Sequence, residues 1–165
     1  MVTFNVAYTA PINKTGATPI LTQPQVWEGL KLQVKRAQEF VPAITGCQIL
    51  SEEALPSGDL QLTREVQFAS TTGNSARSVK EVCVHYAPCR VAFQQEDGSS
   101  VMNLISTRPD GEPLLSYVFE WRHPDVPEGS EKASQLEATH REMAKVAVDS
   151  SIDTIRRLVT EGKIQ

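Results

Sequence analysis

An arginine occupies the middle of an apolar alternation in the segment LQLTREVQF. Side chains alternate across a β-strand, so Arg64 shares a face with Leu62 and Val66. A guanidinium on a buried face needs a partner, because an unpaired charge away from water is very costly. Glu81 on the next predicted strand would lie opposite Arg64 if a turn spans residues 71–74. Three interpretations remain: a structural ion pair, a register that exposes Arg64 at an edge, or a contact with an anionic or carbonyl oxygen of a ligand.

A histidine interrupts an apolar stripe in the C-terminal segment. At about 100° per residue, helical periodicity places seven residues on one stripe: Leu136, His140, Met143, Ala147, Ser151, Thr154 and Leu158. Imidazole titrates near neutral pH, and His140 is the only inward-facing side chain expected to do so. It is therefore the first candidate for a general acid or base, with a satisfied core histidine as the alternative. His85 and His123 stand near strand ends and are predicted to lie at the surface or the rim.

Three large rings share one face of the segment LLSYVFEWRHP, residues 114–124. Tyr117, Phe119 and Trp121 occupy alternate positions, and Pro124 ends the strand because proline cannot donate to a ladder. This face is the apolar one and is expected to point inward. The rings are either ordinary core or one wall of a pocket, in which the Tyr117 hydroxyl and the Trp121 N–H would be directional donors.

These observations define a predicted site with two kinds of residue. The catalytic candidates are His140, which would move a proton, and Arg64 or Tyr117, which would stabilise a developing enolate or phenolate. The candidates for ligand contact are Tyr8, Trp27, Glu81, Phe119, Trp121, Met143 and Ala147.

Neither a metal nor a cofactor is predicted. The arrangement Cys83-x-His85-x3-Cys89 offers metal-ligand types, but its spacing matches no zinc template. With Cys47 the cysteines number three, so they cannot all pair within the chain, and reduced thiols are expected. The sequence has no G-x-S-x-G elbow, no phosphate-binding glycine loop and no H-E-x-x-H motif.

Length and charge restrict the class of protein. The 165 residues predict one domain, 1–165, and a hydrophobic fraction of 40% is enough for a core. The formal net charge of −4 argues against nucleic acid or an anionic membrane as partner. No apolar run approaches the roughly 20 residues of a membrane-spanning helix, and the N-terminus lacks the pattern of a secretory signal. A cytoplasmic protein is expected, either a monomer or a dimer.

The elements that must position these residues follow from periodicity and turn signals. Strands are predicted at about 2–10, 44–53, 59–69, 76–86, 89–96, 100–107 and 113–122, with turn residues such as Thr72-Gly73-Asn74 between them. A short helix capped by Thr22 follows the first strand, and a second short helical turn precedes Pro42.

The C-terminal segment predicts one long helix. It begins at Ser130 or at Ser134, where Ser134-x-x-Glu137 would form a capping box, and it continues to Gly162 without proline or internal glycine. About 30 residues at 1.5 Å each span roughly 45 Å, so this helix must cross the whole sheet. A twisted antiparallel sheet wrapped around it cannot close its core at both ends, which predicts an internal cavity.

Several stretches resemble the AtaL-like proteins of fungi, within the START-like, birch-pollen-allergen (SRPBCC) superfamily. The stretches are VAYTAPIN, VWEGL, EFVPAITGCQIL, LTREVQF and YVFEWRHPDV. The resemblance implies an α+β helix-grip fold, in which a seven-stranded curved antiparallel sheet wraps around a long C-terminal helix. It also implies a hydrophobic ligand, because members of the superfamily bind hydrophobic small molecules and some are aromatase/cyclases or isomerases. The narrower family tends to occur in secondary-metabolite pathways.

Pattern and resemblance together predict a protein that binds a hydrophobic, oxygenated small molecule in an internal cavity. The preferred hypothesis is a cofactor-independent cyclisation, isomerisation or dehydration of a biosynthetic intermediate, in which an aromatic wall orients the substrate. The alternative is a non-catalytic carrier, which would use the same pocket without a titrating group in contact with its ligand.

Overall fold

The computed structural model describes residues 1–70 and 75–165. The chain begins with strand β1 (Val2–Pro11), followed by helices α1 (Gln23–Lys35) and α2 (Ala37–Phe40). Six strands and one long helix follow: β2 (Ile44–Ala54), β3 (Leu60–Phe68), β4 (Arg77–Tyr86), β5 (Arg90–Gln95), β6 (Ser100–Thr107), β7 (Pro113–His123) and α3 (Glu131–Thr160). The predicted α+β helix-grip class is confirmed, and each predicted helix and strand has a counterpart.

The seven strands form one antiparallel sheet in the order β1-β7-β6-β5-β4-β3-β2. Strands β2 to β7 are each beside the next in the chain, and β1 joins the sheet beside β7, where Phe4 lies opposite Trp121. In the pair formed by β3 and β4, Arg64 lies opposite Glu81, as predicted. The turn predicted at Thr72-Gly73-Asn74 lies outside the described residues.

Helix α3 packs against β1 and β7. Its 30 residues correspond to a length of about 45 Å. The Ser130 hydroxyl caps the helix by accepting a hydrogen bond from the backbone N–H of Ala133 at 3.1 Å. The alternative start at Ser134 is wrong, because Ser134 lies inside the first turn and its hydroxyl donates to the Ser130 carbonyl instead of capping.

Helix α1 approaches α3 closely because a glycine stands at the contact. Its start is capped by Thr22, as predicted. Further along, Gly29 faces α3 where an added Cβ would overlap the Ile155 side chain. This approach brings Gln33, in the last turn of α1, against Ser151 of α3. The C-terminal end of α1 therefore lies over the inner face of the sheet, where the site is built.

The buried side of α3 is wider than the predicted stripe. His140, Ala147, Ser151 and Leu158 are buried as predicted, but Met143 is 37% exposed and Thr154 is only half-buried. The buried side is completed by neighbouring positions: Ala133, Ala144, Val148, Ile152 and Ile155. A curved sheet with α1 beside it contacts a broader arc of the helix than one line of residues.

Candidate ligand-binding cavity

A cavity of about 470 Å³ lies between the inner face of the sheet and α3. This volume is within the range of small-molecule binding sites. The cavity touches both β7 and α3, as the sequence analysis predicted. Its wall also includes the end of α1 and the connection between α2 and β2. The described wall contains no residue of β1, because α3 lies over β1 and β7 and the cavity opens on the other side of the helix.

Arg64 and Glu81 form a buried ion pair in the cavity wall. Arg64 Nε and Nη2 donate to Glu81 Oε2 at 2.9 and 2.6 Å, and both side chains are almost fully buried. Arg64 Nη1 donates to the carbonyls of Gln33 and Val34 at 3.0 and 2.8 Å. The other Glu81 oxygen accepts a hydrogen bond from Gln95 at 2.9 Å. The predicted pairing is confirmed, and the exposed-edge alternative for Arg64 is wrong.

The Arg64 contacts also explain why this arginine is on the inside. The last carbonyls of a helix lack partners within the helix, and the negative end of its dipole favours a cation. Arg64 supplies both a donor and a positive charge at the end of α1. Its guanidinium carbon also lies 4.9 Å from the centre of the Phe93 ring. Arg64 therefore ties α1 to the sheet, and its predicted contact with a ligand oxygen remains a prediction.

Gln33 is the centre of a second buried polar group. Its Oε1 accepts hydrogen bonds from the Tyr117 hydroxyl at 2.9 Å and from Asn103 Nδ2 at 3.1 Å. Its Nε2 donates to Ser151 Oγ at 3.3 Å. We call Gln33, Arg64, Glu81, Asn103 and Tyr117 the polar cluster; all five are at most 5% exposed and line the cavity.

Burial raises the pKa of Tyr117 to about 12, against smaller opposing effects of its hydrogen bonds to Ser151 and Gln33. The phenol is therefore neutral at physiological pH, and its proton is already donated to Gln33. Stabilising an enolate through this O–H would require that bond to be exchanged, so the predicted role of Tyr117 stays a prediction.

Two residues of the polar cluster were missed by the sequence analysis. Gln33 interrupts the apolar stripe of α1 between Leu30 and Val34, and Asn103 shares an inward face with Val101 and Ile105. The same test that singled out Arg64, a polar residue at an apolar position, could have found both.

The aromatic residues of β7 form the apolar wall. Phe119 and Trp121 stack at 4.4 Å with an interplanar angle of 8°, and Tyr117 meets Phe119 edge-on at 6.2 Å. All three line the cavity, together with Phe93 and Ala147. Leu115, on the same face of the strand, is fully buried in the core. The rings of β7 are thus both core and cavity wall.

The cavity reaches solvent at the side where α3 passes the α2–β2 connection. Exposed residues of the wall lie here, including Met143 at 37% and Val146 at 40% exposure. The exposed Pro42 and Arg77 also line the cavity, and the Arg77 guanidinium carbon lies 5.2 Å from the centre of the Phe68 ring. Met143, predicted to face the interior, therefore lines the mouth.

His140 lies on the other side of Trp121 and is not among the cavity-lining residues. Its ring stacks on Trp121 at 4.0 Å and packs against Phe4, and its Nε2 lies 2.8 Å from Nε2 of His123. Its Nδ1 is buried with no partner within the described chain. Burial, and then the neighbouring His123, lower the pKa of His140 to about 4. The predicted burial and lowered pKa are confirmed, but the expectation that His140 faces the cavity is wrong.

The geometry of α3 explains this difference. The side of the helix that faces β1 and β7 carries His140 and Ala144, whereas the side that faces the cavity carries Thr139, Met143 and Val146. His140 and Met143 differ by 300° around the helix axis at about 100° per residue, which leaves a 60° separation. A helical wheel with one apolar side assigns both positions to the interior of the protein, and only the placement of the sheet distinguishes them.

Three further residues also differ from expectation. His85 is only 5% exposed and not at the surface, with Nδ1 3.3 Å from the Leu60 carbonyl and its ring edge-on to Trp27 at 6.2 Å. The pKa of His85 is lowered, mainly by burial.

Trp27 and Tyr8 are not cavity-lining residues. Trp27 packs in the core on another side of α1, and Tyr8 lies on β1 near Lys145. His123 is half-buried, in agreement with a rim position.

In residues 1–70 and 75–165, no group of three or more His, Cys, Asp and Glu side chains is arranged to hold a metal ion. The three cysteines, Cys47, Cys83 and Cys89, are free thiols. Burial raises the pKa of the Cys83 thiol to about 12. Across the same described ranges, no helix has the length and apolar character needed to cross a bilayer.

A curved antiparallel sheet that holds a long C-terminal helix, with a cavity between them, defines the helix-grip class. Within that class, the chain belongs to the AtaL family, described as acetylaranotin biosynthesis cluster protein L, whose model matches residues 6–162. A relative of that same name from Aspergillus terreus is 28% identical over 163 residues, which is 99% of this chain and 94% of the relative.

Solved structures share the fold at low sequence identity. The di-domain aromatase/cyclase StfQ of the steffimycin biosynthetic pathway matches with a TM-score of 0.65 and 12% identity over 98% of this chain; the chain spans 52% of StfQ. The Zhui aromatase/cyclase from a Streptomyces strain matches with a TM-score of 0.62 and 16% identity, covering 96% of each chain. The KanY protein has a TM-score of 0.62 and 12% identity, covering 97% of this chain and 99% of its own.

Proposed function

We propose that the protein binds a hydrophobic, oxygenated small molecule in the cavity and acts on it in secondary-metabolite biosynthesis. The observation that carries this proposal is a cavity of about 470 Å³ with an aromatic wall on one side and a buried polar cluster on another. An apolar site with a few directed polar groups is the usual form of a small-molecule pocket. Membership of a family described by a biosynthesis cluster, and the shared fold with two aromatase/cyclases, support the biosynthetic context.

The proposed reaction is a cofactor-independent cyclisation, isomerisation or dehydration. Each of these is redox-neutral and rearranges or removes atoms that the substrate already carries, so no bound cofactor is required. The wall formed by Phe93, Phe119 and Trp121 would hold a flexible precursor in a folded conformation, which raises the effective concentration of its reacting ends. Arg64 and Tyr117 are the wall residues that could polarise a carbonyl. His140 lies behind Trp121 and outside the cavity wall, so it has no direct part in the proposed reaction.

A carrier without catalysis is the second candidate, and one observation favours it. The described part of the cavity wall contains no imidazole, and both oxygens of Glu81 are already engaged by Arg64 and Gln95. A carrier needs affinity and exclusion of water, and it needs no group that titrates against its ligand.

The first experiment tests the cavity as the binding site. Binding of 2-methoxynaphthalene, a neutral aromatic ether, is measured by isothermal titration calorimetry on the wild type and on Ala147→Phe, which places a ring in the cavity. Ala138→Phe is the matched control, because Ala138 is exposed on the same helix and outside the cavity wall. We expect binding to the wild type and to Ala138→Phe, and a loss of at least tenfold in Ala147→Phe. Equal binding by all three proteins would contradict the proposal.

A second experiment separates an enzyme from a carrier. The gene is deleted in its source organism, and the purified protein is incubated with the accumulated metabolites without added cofactor. Mass spectrometry then distinguishes conversion to a product of equal mass or one lighter by water, which supports the enzyme, from recovery of an unchanged bound compound, which supports the carrier. If the protein neither converts nor binds any of these metabolites, both the enzyme and the carrier proposals are contradicted.

A further inference from the structure

Asn103 carries a buried acceptor without a partner. The residue is 2% exposed and lines the cavity from β6. Its Nδ2 donates to Gln33, but no group of the described chain donates to its Oδ1. Buried polar atoms in folded proteins are almost always hydrogen-bonded. An acceptor left over beside a cavity therefore indicates a donor that the chain does not supply.

The Asn103 amide is turned with Nδ2 toward Gln33. Gln33 in turn donates to Ser151 through Nε2 and presents Oε1 to Tyr117 and to Asn103. An oxygen of Asn103 turned toward Gln33 Oε1 would place two acceptors together with no proton between them. The amide NH₂ must therefore face Gln33, and Oδ1 is left as the open acceptor.

The charges around Asn103 disfavour an anionic partner. Arg64 and Glu81 form a closed pair, and the Arg64 guanidinium also donates to two helix carbonyls. Tyr117 is neutral, with its proton donated to Gln33. An anionic oxygen against Asn103 Oδ1 would be repelled without compensation, whereas a neutral O–H or N–H would complete the amide.

We infer that Asn103 Oδ1 accepts a hydrogen bond from a neutral hydroxyl or N–H group of the cavity ligand. The ligand class is then an aromatic or extensively unsaturated molecule that carries a phenol, an enol or an amide N–H at its buried end. This inference rests on the proposed function, since it needs the cavity to be the ligand site. A pocket built to accept a proton discriminates against an analogue that has lost the donor, because its acceptor is then left unpaired.

The test compares two probes that differ in one proton donor. 2-Naphthol, a phenol that is uncharged at pH 7, and 2-methoxynaphthalene are titrated calorimetrically into the wild type and Asn103→Leu. The wild type is expected to prefer 2-naphthol by about tenfold, the effect of one hydrogen bond to a buried acceptor. Asn103→Leu is expected to bind both probes equally. The variant also loses the bond to Gln33, but this loss affects both probes and cancels in the ratio.

Two further variants keep the test decisive. Val101→Ala alters the cavity wall two residues away on the same strand face and should leave the tenfold ratio unchanged. Asn103→Ala removes the same acceptor with a smaller side chain and should also bind both probes equally, so the test holds even if Asn103→Leu does not fold. Equal affinity of the two probes for the wild type, or a retained tenfold preference for 2-naphthol in Asn103→Ala, would overturn the inference and leave the proposed function standing. If neither probe binds to the wild type, the proposed function is overturned, and the inference is overturned with it.

Discussion

Two pairs of ionisable side chains, Arg64 with Glu81 and His123 with His140, have opposite properties. Arg64 and Glu81 carry opposite charges, and their polar atoms are paired with each other, with helix carbonyls and with Gln95. His123 and His140 share one hydrogen bond between their Nε2 atoms at 2.8 Å, and His140 Nδ1 has no partner within the described chain. The first pair lines the cavity, and the second lies beyond Trp121.

The difference shows that burial of a titratable group is not by itself evidence of a catalytic site. The Arg64–Glu81 pair is stable as a charged unit because each charge is compensated. The neutral histidine pair holds one proton between its two Nε2 atoms, and protonation of both rings would place two N–H groups and two positive charges in contact. The histidine pair is therefore the pH-sensitive region, whereas the polar cluster lies where we propose that the ligand binds.

The largest expected effect comes from breaking the arginine pair. Arg64→Leu should lower the free energy of unfolding by about 3–5 kcal/mol, because Glu81 is left as an uncompensated buried charge and two carbonyls of α1 lose their donor. Urea denaturation measures the change. The double variant Arg64→Leu/Glu81→Leu should recover part of the loss, and a single variant as stable as the wild type would contradict the account of the polar cluster.

The next effect is the pH dependence of the histidine pair. The pKa of His140 is lowered to about 4 from an ordinary value of 6.5, so the unfolded chain binds the proton more readily than the folded one. The stability due to neutral His140 is complete above pH 6.5 and is lost as pH falls to about 4. The total loss is at most about 3 kcal/mol.

Urea denaturation at several pH values measures this dependence, with His140→Gln as the control that removes it. The slope between pH 6.5 and 4 should be smaller in the variant than in the wild type. Identical slopes in both proteins would assign the acid sensitivity to other groups.

A smaller effect is expected within the polar cluster. Tyr117→Phe removes one of the two donors to Gln33 Oε1 and leaves the ring in place, so the cost should be about 1 kcal/mol. Thermal or urea unfolding measures this change. A loss of stability as large as that of Arg64→Leu would show that the Arg64–Glu81 pair and the hydrogen bonds to Gln33 depend on each other.

The smallest effect is the one that separates the two regions most directly. His140→Gln should change the dissociation constant of 2-methoxynaphthalene by less than about twofold, because the ring has no contact with the cavity and a neighbouring polar substitution contributes little. Trp121→Ala, which removes part of the wall, should weaken the same binding clearly. If His140→Gln lost as much affinity as Trp121→Ala, the histidine pair and the cavity would have to be treated as one site.

Much of the fold could be predicted because its signals are local. Period-two alternation and turn residues located seven strands, and the long run without proline or internal glycine located α3. The pairing of Arg64 with Glu81 was also predictable, since an inward charge on one strand requires an opposite charge on its neighbour.

The predicted site was less complete, and the missing information is spatial. Seven of the ten predicted site residues line the cavity: Arg64, Glu81, Tyr117, Phe119, Trp121, Met143 and Ala147. Tyr8, Trp27 and His140 do not, although each lies on an inward side of its element. An element's inward side can face a cavity or a packed neighbour, and periodicity is the same in both cases.

The sequence by itself determined the elements, their buried faces and the need for a counter-charge at Arg64, because these depend on alternation, helical period and the cost of a buried charge. Only the tertiary structure decided which part of the interior is hollow. That outcome depends on how α3 lies across β1 and β7 and on how closely Gly29 lets α1 approach it. The same placement turned Gln33 and Asn103 into cavity residues and put His140 behind Trp121, since a rotation of about 60° around a helix separates the two environments.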